Sequence, residues 1–97
     1  MKREELLQKA TEITKGAREQ HYGKPENNFN NIARLWKAYF ENIGYDIDVT
    51  PSDVAILMIL MKTARLCSDS HHDDSWLDIA GYASCGSEIN NGWYMYV

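Results

Sequence analysis

The stretch TPSDVAILMILMKTARLC, residues 50–67, decides the fold of this chain. Thr50 and Asp53 have the spacing of a helix capping box, and Pro51 occupies the first helical position, where proline is well tolerated. The uninterrupted apolar run that follows, residues 54–61, is typical of a buried helix. We therefore expect a mostly buried helix from Pro51 to the end of this stretch, with Asp53 as a cap rather than a catalytic acid.

Three further segments show the three- and four-residue spacing of apolar side chains that indicates a helix. The first runs from about Arg3 to His21, the second begins near Glu26 and stops at Gly44, and the last follows the loop 68–73 and ends near residues 86–89. Residues 45–49 alternate polar and apolar side chains, but no partner strand exists elsewhere in the sequence, so a loop is favoured. The sequence predicts an all-α fold, a compact four-helix bundle.

Composition limits the classes of function. The 97 residues, 44% of them hydrophobic and 25% charged, suit a single domain spanning 1–97. A net charge of −4 argues against binding to a nucleic acid backbone, which requires a basic surface. The longest apolar run is far shorter than the roughly 20 residues that cross a bilayer, and no signal-type segment follows Met1. We expect a soluble cytoplasmic protein with no membrane contact, whose two cysteines stay reduced.

The C-terminal segment, residues 90–97, is rich in aromatic side chains. Trp93, Tyr94, Met95 and Tyr96 would be poorly tolerated free in water, so this tail is expected to pack on the body or on a second subunit. Four short helices also hide the apolar surface of such a chain incompletely. A homo-oligomer is therefore expected.

A second informative stretch, HDDSWLDIAGYA, covers residues 72–83. In a helix, Asp74 and Asp78 leave the same face one turn apart, and Tyr82 extends that face by another turn. Small residues around Gly81 form the opposite side, where a neighbouring helix can approach closely. Two carboxylates on one face can bind hydrated magnesium. Alternatively, they can simply stabilise the start of the helix by interacting with the positive end of its dipole.

Lys62 and Arg65 lie at the end of the predicted buried helix, where cations need partners. The Asp74 and Asp78 face supplies opposite charge, which leaves two interpretations open. The cations form structural ion pairs or reach the surface, or they bind the phosphates of a ligand.

Metal-ligand residues between Cys67 and Asp74 lack the second Cys/His pair of a structural zinc site, and no nucleophile motif is present.

Polar groups from all four predicted helices could converge between the helices, where bundle proteins build their sites. The set comprises Arg18, Tyr22, Asn28, Asn31, Lys62, Arg65, Asp74 and Asp78.

The order of motifs along the chain resembles that of a family of small proteins from bacteriophages and prophages, over about Leu6 to Ile89. The motifs are Arg18-x-x-x-Tyr22-Gly23-x-Pro25-Glu26-x-Asn28-Phe29, Trp36, Thr50-Pro51-x-Asp53-Val54, Lys62-x-x-Arg65 and Asp74-Ser75-Trp76-x-Asp78-Ile79-Ala80-Gly81-Tyr82. That family looks like a short relative of the MazG-like all-α nucleotide pyrophosphohydrolases. The resemblance implies a MazG-like, oligomeric helical fold. It also implies magnesium-dependent cleavage of nucleoside triphosphates to monophosphate and pyrophosphate.

The chain departs from the metal site that this resemblance implies. MazG-like enzymes hold metal with a Glu-x-x-Glu pair on one helix and a Glu-x-x-Asp pair on the next. Here Asn27, Asn28 and Asn31 occupy the region of the first pair, and the second is at best replaced by Asp74 and Asp78. Asparagine is a neutral and weaker metal ligand, so the resemblance implies a nucleotide-handling fold more strongly than catalysis.

The preferred hypothesis is a phage-type protein that binds a phosphorylated or signalling nucleotide with weak or no hydrolysis, in a role that counters a host defence. Its expected ligand-binding residues are Arg18, Tyr22, Asn28, Asn31, Lys62, Arg65 and Tyr82. The first alternative is a magnesium-dependent pyrophosphohydrolase, in which Asp74 and Asp78 hold Mg²⁺ and act as the catalytic residues. The second is an inhibitor that binds a host protein through the aromatic tail.

Overall fold

A computed structural model describes residues 1–15 and 24–94, and within these ranges the chain is helical and contains no β-strand. Its helices are α1 (Arg3–Ile13), α2 (Pro25–Asn42), α3 (Pro51–Ser68) and α4 (Asp73–Tyr94). For the described residues, the predicted all-α class with four helices is confirmed. None of these helices is long and apolar enough to span a membrane.

Helix α1 ends at Ile13, earlier than the His21 expected from its apolar spacing. The Thr14 hydroxyl donates a hydrogen bond to the Ala10 carbonyl at 2.8 Å, and the Lys15 N–H bonds to a carbonyl only three residues back. Threonine side chains compete in this way with the helical ladder, and the apolar pattern does not reveal it. Residues 16–23, and with them the predicted ligand residues Arg18 and Tyr22, lie outside the described residues.

Helix α2 begins without a side-chain cap. Its N-cap is Lys24, whose carbonyl accepts the N–H groups of Asn27 and Asn28 at 3.0 and 3.1 Å, and Pro25 stands at the first helical position. The asparagine-rich start therefore supplies backbone donors rather than capping side chains. At the other end Gly44, with φ +98°, makes the left-handed turn that lets the chain leave the helix.

Helix α3 has the predicted capping box. The Asp53 N–H donates to the Thr50 hydroxyl at 3.1 Å, and the Thr50 N–H donates to the Asp53 carboxylate at 2.9 Å. The expectation of a mostly buried helix is wrong for one face. Val54 and Ala55 are buried, whereas the four large side chains of the other face are 43 to 57% exposed, namely Ile56, Leu57, Leu60 and Met61.

Helix α4 continues to Tyr94, past the end predicted near residues 86–89. Ile89 is fully buried, and Asn90 accepts a hydrogen bond from the Ser52 hydroxyl at 3.2 Å, so α3 holds this extra turn in place. The start of the predicted tail is thus part of the helix. The packing of the aromatic tail stays a prediction, because the side chains from residue 92 onward are not among those described.

The core lies where α2, α3 and α4 meet. Its buried members are Phe29, Ala33, Val54, Ala55 and Ile89. Helix α4 approaches α3 so closely at Gly86 that a Cβ there would stand 2.9 Å from the Ala55 Cβ. On its other side α4 packs against α1, with the buried Gly81 facing Ile13 and Thr14 as the small-residue face of this helix predicts.

Candidate ligand site

Lys62 and Asp78 form an ion pair across the α3–α4 interface. The Lys62 Nζ lies 3.0 Å from the Asp78 Oδ2, and the two side chains are only 21% and 33% exposed. The register of α3 against α4 brings these two side chains together. Further along the same antiparallel helices, Ser52 bonds to Asn90 and Ala55 lies against Gly86. Of the two interpretations open from sequence, this geometry favours the structural pair for Lys62.

Arg65 and Asp74, the other members of the predicted charge cluster, are placed differently. Both side chains are exposed, and neither forms an ion pair with any residue in the described ranges. Arg65 lies three residues after Lys62 and Asp74 lies four before Asp78, so both sit one helical turn from the ion pair. The five N–H donors of the Arg65 guanidinium are therefore free to bind an anion, as far as residues 1–15 and 24–94 are concerned.

Tyr82 packs beside the core, whereas the predicted ligand asparagines of α2 do not belong to it. The Tyr82 ring packs against Phe29 with ring centroids 6.3 Å apart, and it is half-buried beside the core cluster. Asn28, the neighbour of Phe29 in sequence, is half-buried, whereas Asn31 is exposed. The structure thus brings the start of α2 against Tyr82, which lies one helical turn from Asp78 on α4. A role of Tyr82 in ligand binding stays a prediction.

In the described part of the chain, shallow grooves lie along α4. One, of about 340 Å³, runs between α3 and α4 and is lined by Ser52, Ile59, Tyr82 and Asn90 among others. The other, of about 630 Å³, is lined by Ser84, Ser87, Glu88, Asn90 and Asn91. No described lysine or arginine lines either groove, so neither offers the charge that a phosphate group requires. The groove between α3 and α4 ends one helical turn short of the Lys62–Asp78 pair, because Ile59 lies three residues before Lys62 and Tyr82 lies four residues after Asp78.

A magnesium ion fits poorly between Asp74 and Asp78. Asp78 already bonds to the Lys62 ammonium, and a divalent cation on the same carboxylate would lie next to that positive charge. Within the described part of the chain, no three His, Cys, Asp or Glu side chains are grouped so that they could hold a metal ion. The residues present suit an ion pair between α3 and α4 better than a metal site.

One local arrangement was missed from sequence. Ser75 is fully buried, its hydroxyl lies 2.8 Å from the His72 Nδ1, and its backbone N–H donates to the same nitrogen at 3.2 Å. His72 thereby caps the start of α4, and the Trp76 indole N–H donates to the Ser70 carbonyl at 3.0 Å. The signal was a polar side chain three residues before a serine at a helix start, a spacing similar to that of a capping box.

Comparison with known proteins identifies relatives of this chain. The chain is 42% identical over 86 residues to the "Gene 55 protein" of Mycobacterium phage D29, an alignment of 89% of this chain and 54% of that protein. It is 45% identical over 78 residues to the "Gene 55 protein" of Mycobacterium phage L5, covering 80% of this chain and 47% of that protein. The chain thus spans about half the length of the relatives it matches. No solved structure matches it significantly.

The family model described as "Domain of unknown function (DUF6378)" matches residues 5–90, almost the entire helical part of the chain. The predicted resemblance to a family of small phage proteins is thereby confirmed, whereas the distant relationship to MazG-like enzymes stays a prediction. The chain belongs to the DUF6378 family.

Proposed function

We propose that this protein binds a phosphorylated nucleotide beside the Lys62–Asp78 pair and hydrolyses it weakly or not at all. The observation that carries the proposal is the arrangement of two cations one helical turn apart on α3. Lys62 is held in place by Asp78, and Arg65 has an exposed guanidinium with no ion-pair partner among the described residues. A fixed ammonium next to an available guanidinium suits the oxygens of a phosphate group.

The same geometry argues for binding over hydrolysis. Magnesium-dependent cleavage would need Asp78 as a metal ligand, and Asp78 is already neutralised by Lys62 at 3.0 Å. The start of α2 carries Asn28 and Asn31 where an acidic pair would be needed to hold the metal. Cleavage to a monophosphate and pyrophosphate is the second candidate, and Asp74, exposed one turn from the pair, is the carboxylate that supports it.

Anti-defence activity is the biological role that we propose for such a binder, because the matched relatives are phage proteins. A phage protein that captures a signalling nucleotide without consuming it lowers the free concentration of that nucleotide in the host. Inhibition of a host protein through the aromatic tail rests on residues 93–97 alone and remains a prediction from sequence.

Replacement of Arg65 by alanine tests this binding site directly. Loss of a charge-assisted hydrogen bond costs about 1.5 to 3 kcal/mol, so Arg65→Ala should weaken nucleotide affinity roughly ten- to a hundredfold, measured by calorimetry. Arg34→Ala is the matched control, because Arg34 is also exposed and lacks an ion pair among the described residues, but lies on α2. Equal affinities of the two variants would show that Arg65 does not contact the ligand.

A further inference from the structure

The Lys62–Asp78 pair lies in a group of charges in which carboxylates outnumber cations. On α3, Arg65 follows Lys62 by three residues, and Asp69, the residue after this helix, follows Arg65 by four. On α4, Asp74 precedes Asp78 by four residues. We call these five side chains the Arg65 cluster, which holds two cations and three carboxylates.

The Arg65 cluster lies on one side of the α3–α4 pair. Steps of three and four residues keep Lys62, Arg65 and Asp69 on one face of α3, and a step of four does the same for Asp74 and Asp78 on α4. The contact of 3.0 Å between Lys62 and Asp78 joins the two faces. At about 1.5 Å per residue, Arg65 stands about 4.5 Å beyond Lys62, and Asp74 stands about 6 Å beyond Asp78 in the same direction, since the helices are antiparallel. Arg65 and Asp74 are therefore nearly level on neighbouring helices.

The charges of the cluster are unequally available to a ligand. The Lys62–Asp78 ion pair is neutral as a unit. The other three members are exposed, and none of them forms an ion pair with a described residue. Asp73, beside Asp74, lies 3.3 Å from the Met1 ammonium and adds no unbalanced charge. A ligand therefore meets the Arg65 guanidinium together with two nearby carboxylates that no described cation balances.

Such a cluster discriminates between ligands by their charge. The Arg65 guanidinium can donate two parallel hydrogen bonds to two oxygens of one phosphate group. Every further phosphate places more negative charge close to the two carboxylates, and α3 and α4 carry no other cation among their described residues. Like charges repel one another over such distances at low salt. A ligand with one singly charged phosphate therefore fits the cluster better than a chain of phosphates.

We propose that the ligand recognised here is a nucleotide whose phosphate is a diester, rather than a nucleoside triphosphate. This inference rests on the proposed function, because it names the kind of phosphate that the same site takes. A diester carries a single negative charge and keeps two free oxygens, which match the fork of the Arg65 guanidinium. A phosphate monoester carries about 1.5 to 2 charges at pH 7, and a triphosphate carries more. The expected order of affinity is therefore diester, monoester and triphosphate.

Calorimetry with nucleotides of matched base and different charge tests this inference. The full chain is titrated in EDTA at low salt with the 3′,5′-cyclic monophosphate, the 5′-monophosphate and the 5′-triphosphate of each common base, and with dinucleoside monophosphates. The cyclic nucleotides and the dinucleoside monophosphates are the diesters. At least one diester should bind about tenfold more tightly than the triphosphate of the same base, and added sodium chloride should reduce this difference because salt screens the repulsion.

Neutralisation of one carboxylate separates the effect of the cluster from general repulsion by a protein of net charge −4. Asp74→Asn should reduce the preference for the diester about threefold, because it removes the carboxylate level with Arg65. Glu88→Gln is the matched control, since it removes the same charge from an exposed position of α4 about 21 Å along the helix from Asp74. Should Asp74→Asn lose helical content in circular dichroism, Asp69→Asn replaces it, because the amide oxygen can still accept the His71 N–H.

A triphosphate that binds as tightly as the diesters would overturn the inference and leave the proposed binding site standing. Equal effects of Asp74→Asn and Glu88→Gln on the preference would also overturn it, because the Arg65 cluster would then not be its cause. Absence of binding by every probe would overturn the inference together with the proposed function.

Discussion

Lys62 and Asp78 illustrate what single residues reveal and what they do not. The sequence indicated that the cations of α3 need carboxylates and that the Asp74–Asp78 face supplies them. It did not reveal which carboxylate pairs, because that depends on the register of α3 against α4. The close contact between Ala55 and Gly86 fixes this register. No sequence pattern indicates that these two small residues lie opposite each other.

Substitution of Asp78 by asparagine should lower the melting temperature. The change leaves Lys62 with a neutral partner in a partly buried place, and we expect a loss of about 1 kcal/mol because water still reaches both side chains. Glu88→Gln is the control, since Glu88 is exposed, lacks an ion pair among the described residues and lies away from the first turn of α4. Thermal unfolding in which both variants melt alike would show that the pair contributes nothing to stability.

The two glycines of α4 at its helix contacts provide a test at the level of an element. A Cβ at position 86 would stand 2.9 Å from the Ala55 Cβ, so Gly86→Ala must push α3 and α4 apart, at a cost of about 1 to 3 kcal/mol. A Cβ at position 81 meets Ile13 and Thr14 at the ordinary distances of 3.7 and 3.8 Å. Gly81→Ala should therefore be neutral or stabilising, because alanine is favoured in helices. Denaturant unfolding that ranks the two variants in the reverse order would contradict the close α3–α4 approach.

Lys37 holds the loop between α2 and α3 in place. The alternating pattern of residues 45–49 did not reveal this contact. The Lys37 Nζ lies 3.0 Å from the Asp48 carboxylate and 3.3 Å from that of Glu41, and it donates to the Ile47 carbonyl at 3.4 Å. Hydrogen bonds to Asp48 and then to Glu41 raise the pKa of Lys37 above its ordinary value of 10.5. The ammonium is thus fully charged at neutral and mildly alkaline pH, and its stabilising contribution is lost only as the pH rises above that ordinary value.

Replacement of Lys37 by methionine should therefore loosen the loop while leaving the helices intact. Hydrogen exchange at pH 7 should become faster at the Tyr45 amide, which donates to the Phe40 carbonyl at 2.8 Å, and stay unchanged in the middle of α3. The pairs are exposed and screened by salt, so 1 M sodium chloride should reproduce part of the effect in the wild-type protein. Unchanged exchange in the loop of Lys37→Met would show that other contacts hold it.

At the level of the whole molecule, sequence patterns were sufficient to predict the class of fold. They were insufficient to predict which apolar side chains are exposed. The spacing of apolar residues predicted four helices, because burial on one side leaves a period of 3.6 residues. It could not distinguish a core stripe from an exposed one, since both have that period, and so α3 was expected to be mostly buried. The Lys62–Asp78 pair was foreseen as one of two interpretations, whereas the His72 cap was not.

Nucleotide binding without efficient hydrolysis is tested most directly by a panel of nucleoside triphosphates and signalling nucleotides, incubated with the wild-type protein with and without magnesium. Both bound ligand and released product should be measured in the same samples. We expect at least one nucleotide to bind with or without magnesium and to be recovered intact. Absence of binding by every nucleotide, or robust magnesium-dependent release of pyrophosphate that is lost in Asp78→Asn, would contradict the proposal.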